Sequence, residues 1–296
     1  MLTQIIQSAR PKQWLKNVFI FAALVFDRQL TNFDSVKTTF LGFFIFCAVS
    51  SSVYLLNDIF DYESDRKHPS KKNRPIASGK LSKKIALSTA LFILLVSFSA
   101  SYFLSNNFFI ICLIYFASNL LYSKWLKHVV ILDVLTIALG FLLRVAAGVS
   151  LIQVERFSPW MYVVMTLAAL YLGFGKRRAE LSLLKTRAGE HRRVLDGYSV
   201  EFLDQLITIV SSTTIIAYCL YTFSAPNLPQ NHCMMLTIPF VIYGIFRYLY
   251  LVRIKQAGGE PEEVLLADRP LQIVILIFGI SVILIFYSEQ IIQLIK

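Results

Sequence analysis

Long apolar segments recur along nearly the whole chain, and this feature constrains the fold more than any other. Each segment is close to the ~20 residues that an α-helix needs to cross ~30 Å of hydrocarbon. With 56% of its 296 residues hydrophobic, the chain has more apolar surface than a soluble core of this size requires. The sequence therefore predicts an all-α, polytopic integral membrane protein of about nine transmembrane helices. The segments cover residues 16–31, 36–58, 84–105, 107–123, 129–152, 159–175, 204–223, 234–252 and 271–294.

Positive charge is distributed unevenly between the loops. The net charge is +11, and most of the 29 Lys and Arg residues fall in alternate connections between the apolar segments. Because cytoplasmic loops are enriched in Lys and Arg, the N-terminus and the long loops 61–83 and 176–203 are predicted to be cytoplasmic. The C-terminus is then outside. The same pattern argues against a nucleic-acid partner, and we expect the chemistry to face the cytosol.

The chain has the features of a single transmembrane catalytic domain over residues 1–296. No Gly/Ser linker or low-complexity tract interrupts it. Its four Cys and four His residues lack zinc-binding spacing, which argues against a transition-metal site. The N-terminal residues lack the pattern of a cleavable signal and are expected to be retained. The oligomeric state is left open, and a homo-oligomer is compatible with the sequence.

A group of polar residues stands at the end of the second apolar segment. Asn57, Asp58, Asp61 and Asp65 have the spacing of one helical face. Hard oxygen ligands of this kind favour Mg²⁺, which commonly bridges to substrate phosphates, so a diphosphate is the expected ligand. Arg74, in the following basic loop, could bind phosphate in bidentate fashion. The alternative interpretation is a solvated acidic helix end beside a loop that sets the topology.

Two stretches around this group carry a family resemblance. NDIFDYESD, at Asn57–Asp65, followed by NRPIASG, at Asn73–Gly79, resembles the first aspartate motif of the UbiA prenyltransferase superfamily. The likeness covers essentially the whole chain, and nine helices fit it. It implies a helical bundle with a central cavity open to the cytosol. It also implies a Mg²⁺-bridged diphosphate at the mouth of that cavity, held by Asp58, Asp61 and Asp65, and lateral access for a polyprenyl lipid.

The second aspartate motif of the prenyl-transferring members has no counterpart here. The corresponding stretches, GFGKRRAEL at Gly173–Leu181 and HRRVLDGY at His191–Tyr198, are rich in cations instead. This departure resembles the decaprenyl-phosphate phosphoribosyltransferase branch of the superfamily, as do RPKQWLKN at Arg10–Asn17 and ADRPL at Ala267–Leu271. A donor and an acceptor that each bring a phosphate would explain the additional cations. The alternative for Lys176–Arg178 is a helix anchor that follows the positive-inside rule.

Four further residues near or within the apolar segments need an explanation. Arg144 follows the same helical face as Asp133 and lies ~16 Å deeper, so it should face a cavity or pair with an acid. Phosphate binding and a structural counter-ion role both remain open for Arg144. Tyr122, Lys124 and Lys127 resemble a tyrosine and lysine cluster of the family that contacts diphosphate, and interfacial anchoring is the alternative.

These observations combine into one predicted activity. The protein is expected to transfer 5-phosphoribose from 5-phosphoribosyl 1-diphosphate to a polyprenyl phosphate, with Mg²⁺ as cofactor, in a bacterial inner membrane. The alternatives are a UbiA-type prenyltransferase that acts on an aromatic acceptor and, from another class, a membrane transporter or lipid flippase. The predicted catalytic and metal-binding residues are Asp58, Asp61 and Asp65. The predicted substrate-binding residues are Asn57, Lys12, Asn17, Arg74, Tyr122, Lys124, Arg144, Lys176, Arg177, Arg178, Glu180 and Tyr198.

Overall fold

The structure, a computed structural model, describes residues 1–67, 71–152, 158–184, 193–229, 231–255 and 261–295. Within these ranges it consists of helices and the turns that join them, with no β-strand, which confirms the all-α prediction. Short 3₁₀ helices connect some of the α-helices, at Pro11–Phe21, Lys71–Asn73, Leu126–His128, Arg193–Gly197 and Cys233–Thr237. The α-helices are α1 (Leu2–Ala9), α2 (Ala22–Phe26), α3 (Phe33–Phe60), α4 (Tyr62–Lys67), α5 (Lys83–Leu104), α6 (Asn106–Lys124), α7 (Leu132–Val149), α8 (Pro159–Leu184), α9 (Val200–Ser224), α10 (Ile238–Arg253), α11 (Pro261–Ala267) and α12 (Arg269–Ile295).

Polar caps fix where several long helices begin. The side chains of Asn32, Ser82, Ser105 and Ser199 each accept a backbone N–H from the first turn of α3, α5, α6 and α9, respectively. A cap of this kind satisfies a donor that the helix itself cannot bond, and it contributes about 1 kcal/mol. The apolar segments therefore form helices that begin at defined residues. In hydrocarbon no water is available to the backbone, so each segment must satisfy its own backbone hydrogen bonds, as a helix does.

Seven helical segments in the described ranges are long and apolar enough to cross a membrane. They coincide with seven of the segments predicted from the sequence. α8 is also long, at 26 residues, but it is not among the seven, so the count of nine stays a prediction. The seven spans are Phe33–Phe60, Lys83–Leu104, Asn106–Lys124, Leu132–Val149, Val200–Ser224, Cys233–Arg253 and Arg269–Ser288.

The first predicted segment differs from a continuous helix over residues 16–31. Pro11–Phe21 forms a 3₁₀ helix of 11 residues, followed by the five-residue α2. A 3₁₀ helix of this length is uncommon because its hydrogen-bond geometry is poor. Tertiary contacts to α3 and α7 must therefore stabilise this segment in place of its own backbone bonds.

The chain divides into two compact units. The first comprises Met1–Leu24 and Gln29–Val154. Its core packs α3, α6 and α7 with the Pro11–Phe21 segment around Ile20, Phe46, Phe108, Tyr115 and Leu143. A second apolar cluster, near the ends of α3 and α5, buries residues of the intervening loop and thereby positions the loop that carries Arg74. Its buried members are Leu55, Leu56, Ile76, Leu81, Ala86, Ala90 and Leu94.

The second unit comprises Val25–Arg28 and Glu155–Lys296. Its core is rich in aromatic residues, among them Tyr218, Tyr221, Phe286 and Tyr287. Pairs of these rings, such as Phe26 with Phe286 at 5.8 Å between centroids, meet edge to face, which is the favoured geometry for aromatic contacts. The single domain predicted over residues 1–296, and its central cavity open to the cytosol, stay predictions.

Candidate active site

Two of the predicted acids lie at the junction of α3 and α4. The helical path is almost continuous there, because the Asp61 N–H donates to Asn57 O (2.9 Å) and the Asp65 N–H donates to Asp61 O (2.8 Å). Asp58 and Asp65, seven residues apart, therefore stay on one face. Both are nearly fully buried, with only 2% and 3% of their surface exposed. Buried carboxylates need cationic or hydrogen-bonding partners.

Arg74 brings these two acids together. Its Nη1 lies 3.1 Å from Asp58 Oδ1 and 2.6 Å from Asp65 Oδ2. The loop that carries Arg74 is held by backbone bonds, among them Ser78 N–H to Arg74 O at 2.8 Å, and by the buried Ile76. One guanidinium thus bridges two carboxylates at the position that the sequence predicted for a phosphate-binding arginine.

A second arginine reaches the same carboxylate from the N-terminus. Arg10 Nη2 lies 2.5 Å from Asp58 Oδ1, and its guanidinium carbon is 5.2 Å from the centre of the Tyr54 ring. Arg10 has left-handed backbone angles (φ 53°, ψ 62°) and separates α1 from the Pro11–Phe21 segment. Asp58 therefore faces two cations, and α1, α3 and the Arg74 loop meet at one point.

Asp61 has a different ion-pair partner from Asp58 and Asp65. Its Oδ1 lies 2.6 Å from Lys127 Nζ in the loop after α6, and about a third of its side chain is exposed. Asn57 accepts a hydrogen bond from Ser123 Oγ at the end of α6. Asn57 and Asp61 therefore contact residues at the end of α6 and in the loop after it, whereas the partners of Asp58 and Asp65 are arginines. The role of Asp61 as a metal ligand stays a prediction.

The carboxylates at this junction fit a hard divalent cation. Within the described residues, no group of three or more His, Cys, Asp or Glu side chains is arranged to hold a metal. Mg²⁺, however, is commonly held by one or two carboxylates, with the remaining positions filled by water and substrate phosphates. Asp58 and Asp65 already share one positive charge, that of Arg74, so their oxygens can face a single cation. The donor set fits Mg²⁺.

Arg144 and Asn17, both predicted to bind substrate, form a hydrogen bond with each other. Arg144 Nε donates to Asn17 Oδ1 at 2.8 Å, and both side chains are buried in the core of the first unit. Arg144 also donates to Gly140 O (2.7 Å) and Tyr115 Oη (3.0 Å). The sequence predicted a cavity or an acid partner for Arg144, and among the contacts that the structure shows its acceptors are neutral oxygens.

The remaining candidates of the first unit lie nearer the surface. Lys12 and Lys124 are exposed, and Tyr122 is half-buried. Lys124 Nζ lies 5.5 Å from the centre of the Phe60 ring, at the end of α3. These positions leave both the phosphate-binding and the interfacial interpretation open.

The cations of α8 divide into two groups. Arg177, which is almost fully buried, pairs with Glu180 at 2.6 Å, and Lys176 lies 4.0 Å from the same carboxyl group. Arg178 instead joins helices, because it donates to Asp204 Oδ1 of α9 at 3.1 Å and to Val252 O of α10 at 3.1 Å. These contacts join three helices of the second unit, and the substrate-binding role of Arg178 stays a prediction.

The other motif residues of the second unit are also placed. Tyr198 is buried and stacks on Phe202 with 6.3 Å between ring centroids. His191 and Arg192 lie outside the described residues. In the ADRPL stretch, Asp268 accepts two hydrogen bonds from Arg247 (3.1 and 2.8 Å) and caps α12 through the Leu271 N–H. The bonds from Arg247 lower the pKa of the Asp268 carboxyl group.

Arg10 was missing from the predicted set of site residues, and Lys127 was predicted only as part of the cluster with Tyr122 and Lys124. Each contacts an acid of the aspartate motif that lies 48 or 66 residues away in sequence. Arg10 opens the RPKQWLKN stretch, and Lys127 stands in the basic loop after α6, so both had a sequence signal. Neither signal identified which acid the cation would meet.

Comparison with known proteins identifies the family. Residues 18–263 match the UbiA prenyltransferase family, so the chain is a member of that family. The decaprenyl-phosphate phosphoribosyltransferase of Mycolicibacterium smegmatis is 34% identical over 295 residues, covering 93% of this chain and 90% of that protein. The protein of the same name from Corynebacterium glutamicum is 32% identical over 291 residues, covering 95% of this chain and 86% of the relative.

Solved structures support the fold. A UbiA homolog from Archaeoglobus fulgidus, bound to GPP and Mg²⁺, superimposes with a TM-score of 0.73. The alignment covers 96% of this chain and 99% of that one at 19% sequence identity. The protein is thus an integral membrane protein with a UbiA-like helical fold, as the sequence predicted.

Proposed function

We propose that this protein transfers 5-phosphoribose from 5-phosphoribosyl 1-diphosphate to a polyprenyl phosphate of the decaprenyl type and releases diphosphate. The names of its relatives, at 34% and 32% identity over more than nine-tenths of the chain, support this substrate pair. The structural observation that carries the proposal is the cluster of Asp58 and Asp65 with Arg10 and Arg74. Such a cluster combines cation-binding and phosphate-binding groups.

The proposed reaction is a displacement at C1 of the sugar. An oxygen of the lipid phosphate forms a bond to C1 as the bond from C1 to the diphosphate oxygen breaks, and that electron pair leaves with the diphosphate. The lipid phosphate is already an anion at neutral pH, so it needs no general base. A site that consists of carboxylates and cationic side chains is therefore sufficient for the proposed reaction.

Different residues of the site would bind the metal and the substrate phosphates. Asp58 and Asp65, with Asp61 and Asn57 assisting, would hold Mg²⁺, which when bound neutralises charge on the leaving diphosphate. Arg10 and Arg74 would bind diphosphate oxygens, since a guanidinium matches phosphate in bidentate fashion. Lys176 and Arg177 are proposed for the additional phosphates of the two substrates.

One assay with purified protein tests the proposal. Radiolabelled phosphoribosyl diphosphate and polyprenyl phosphate are incubated with and without Mg²⁺, and lipid-soluble label is measured. We expect label in the lipid fraction only when Mg²⁺ is present. A parallel reaction with a polyprenyl diphosphate and an aromatic acceptor tests the prenyltransferase alternative. Product in that second reaction alone would overturn the proposal.

The contribution of Asp61 can be separated from that of its ion pair. If Asp61 contributes to metal binding, Asp61→Ala should lower kcat by at least about 100-fold and shift the Mg²⁺ dependence to higher concentration. Lys127→Ala removes the partner of Asp61 and should cost less than about 10-fold, because the pair is partly exposed. Equal losses in the two variants, with unchanged Mg²⁺ dependence, would assign Asp61 to the ion pair alone.

We further propose that the N-terminus and the aspartate motif face the cytoplasm of a bacterial inner membrane and that the C-terminus lies outside. The excess of Lys and Arg in alternate loops supports this orientation. Alkaline phosphatase fused after Lys296 should therefore be active, and green fluorescent protein fused there should not fluoresce. The same fusions placed after Gly79 should give the reverse pattern. Fluorescence at the C-terminal fusion would contradict the orientation.

A further inference from the structure

We infer that Arg144 is a positioning residue that acts through Asn17: it holds the Pro11–Phe21 segment on α3 and so places Arg10 on Asp58. This inference rests on the proposed function only for its activity measurements. The geometry behind it lies entirely within the first unit. It assigns one role to two residues that the sequence suggested as substrate ligands.

The surroundings of Arg144 are built for a planar guanidinium. The guanidinium carbon of Arg144 lies 5.0, 5.7 and 5.6 Å from the centres of the Tyr115, Phe46 and Phe141 rings, respectively. Three nitrogens of the group donate hydrogen bonds, and only 5% of the residue is exposed. Ring faces and oriented neutral oxygens thus offset the cost of burying the charge. A lysine cannot reproduce three donors in one plane.

Asn17 transmits this arrangement to α3. Because Arg144 Nε can only donate, the Asn17 Oδ1 must face it, and this leaves the Nδ2 group to donate to Ser50 Oγ and Cys47 Sγ, both at 3.2 Å. The Asn17 side chain is fully buried. One amide therefore joins the Pro11–Phe21 segment to α3 and α7 at the same time.

Two more contacts hold the segment against these helices. Trp14 Nε1 donates to Ser51 Oγ of α3 at 3.0 Å. At Gly148 of α7, an added Cβ would lie 1.9 Å from Ile20 O, so only glycine permits this close approach of the two backbones. A long 3₁₀ helix needs such support, since its own hydrogen bonds are weak.

The Pro11–Phe21 segment connects the contacts of Asn17 to the aspartate motif. Asn17 lies seven residues after Arg10, or ~14 Å at the rise of a 3₁₀ helix. The segment starts directly after Arg10, whose guanidinium meets Asp58. When Asn17 is fixed, the 11-residue segment is held against α3 and α7, and Arg10 at its start has a defined position. When it is not, Arg10 loses its alignment, although no residue near Asp58 has changed.

The first test measures the segment without turnover. Hydrogen–deuterium exchange in nanodiscs is compared for wild type, Arg144→Lys, Asn17→Ala and the control Tyr102→Phe, which removes one hydroxyl from an exposed ring of the same unit. We expect Arg144→Lys and Asn17→Ala to speed exchange of the amides of residues 13–21 by at least about 10-fold. The control should change it by less than about threefold, and exchange in α9 should stay constant in every variant. Unchanged exchange in residues 13–21 would overturn the inference.

The second test is a double-mutant cycle with Arg10. If Arg144 acts through Arg10, kcat/KM of Arg10→Ala/Arg144→Lys should lie within about threefold of Arg10→Ala alone. If Arg144 binds substrate directly, the two losses should multiply, and the inference fails. Wild type that forms no labelled lipid would refute the proposed function instead, and the exchange measurement would then decide the inference alone.

Discussion

Asp58→Asn is expected to abolish detectable transfer, with a loss of at least about 1000-fold in kcat. Asp58 is almost fully buried and contacts both Arg10 and Arg74. The amide has nearly the same shape but no charge, so it removes a metal ligand and the partner of two arginines together. The measurement is the initial rate of label incorporation at saturating Mg²⁺.

Asp34→Asn is the matched control for this variant. Asp34 is an exposed acid in the first turn of the same helix, remote in sequence from the motif. It should lose less than about twofold in rate, because an exposed charge at a helix start contributes only ~0.3–1 kcal/mol. If Asp58→Asn retains near-normal activity while both proteins are folded, the assignment of the metal site is wrong.

Arg74→Ala is expected to have the second largest effect, a loss of about 100-fold or more in kcat/KM. It should also lower the free energy of unfolding by about 1–3 kcal/mol, because Asp65 is buried and would lose its charged partner. Arg74→Lys keeps the charge but not the planar fork, so it should recover part of the stability and little of the activity. Steady-state kinetics and thermal unfolding in detergent measure the two effects separately.

Arg66→Ala provides the comparison for Arg74. Arg66 belongs to the same basic region but is exposed and lies 5.5 Å from the centre of the Tyr62 ring. Its removal should change neither rate nor stability by a measurable amount. Equal losses in Arg66→Ala and Arg74→Ala would indicate a general effect of positive charge instead of a specific contact at the aspartate motif.

The parts of the fold that follow from composition were predictable. Seven predicted segments correspond to membrane-spanning helices because length and hydropathy alone define such helices. The common face of Asp58 and Asp65 was also predictable, since it follows from a spacing of seven residues. The 3₁₀ segment was not, because it depends on contacts such as Trp14 with Ser51, 37 residues apart.

The partners of charged residues were the least predictable feature of the site. The sequence marked Arg144 as needing an acid or a cavity, and the structure provides neutral oxygens and aromatic rings. For Arg178, predicted as a substrate ligand, the sequence did not identify Asp204 and the carbonyl of α10 that accept its hydrogen bonds. Pairings of this kind depend on which helices are neighbours, and hydropathy carries no information on that.

The pairing of Asp58 with Arg10 and Arg74, and of Asp65 with Arg74, has a consequence for the order in which ligands bind. A bare divalent cation would compete with the guanidinium groups of Arg10 and Arg74 for these carboxylates, so its affinity for the free protein should be low. A ligand that carries phosphates offers Arg10 and Arg74 new partners and frees both carboxylates at once. On the proposed function, metal and sugar donor should therefore bind with positive cooperativity, each raising the affinity for the other.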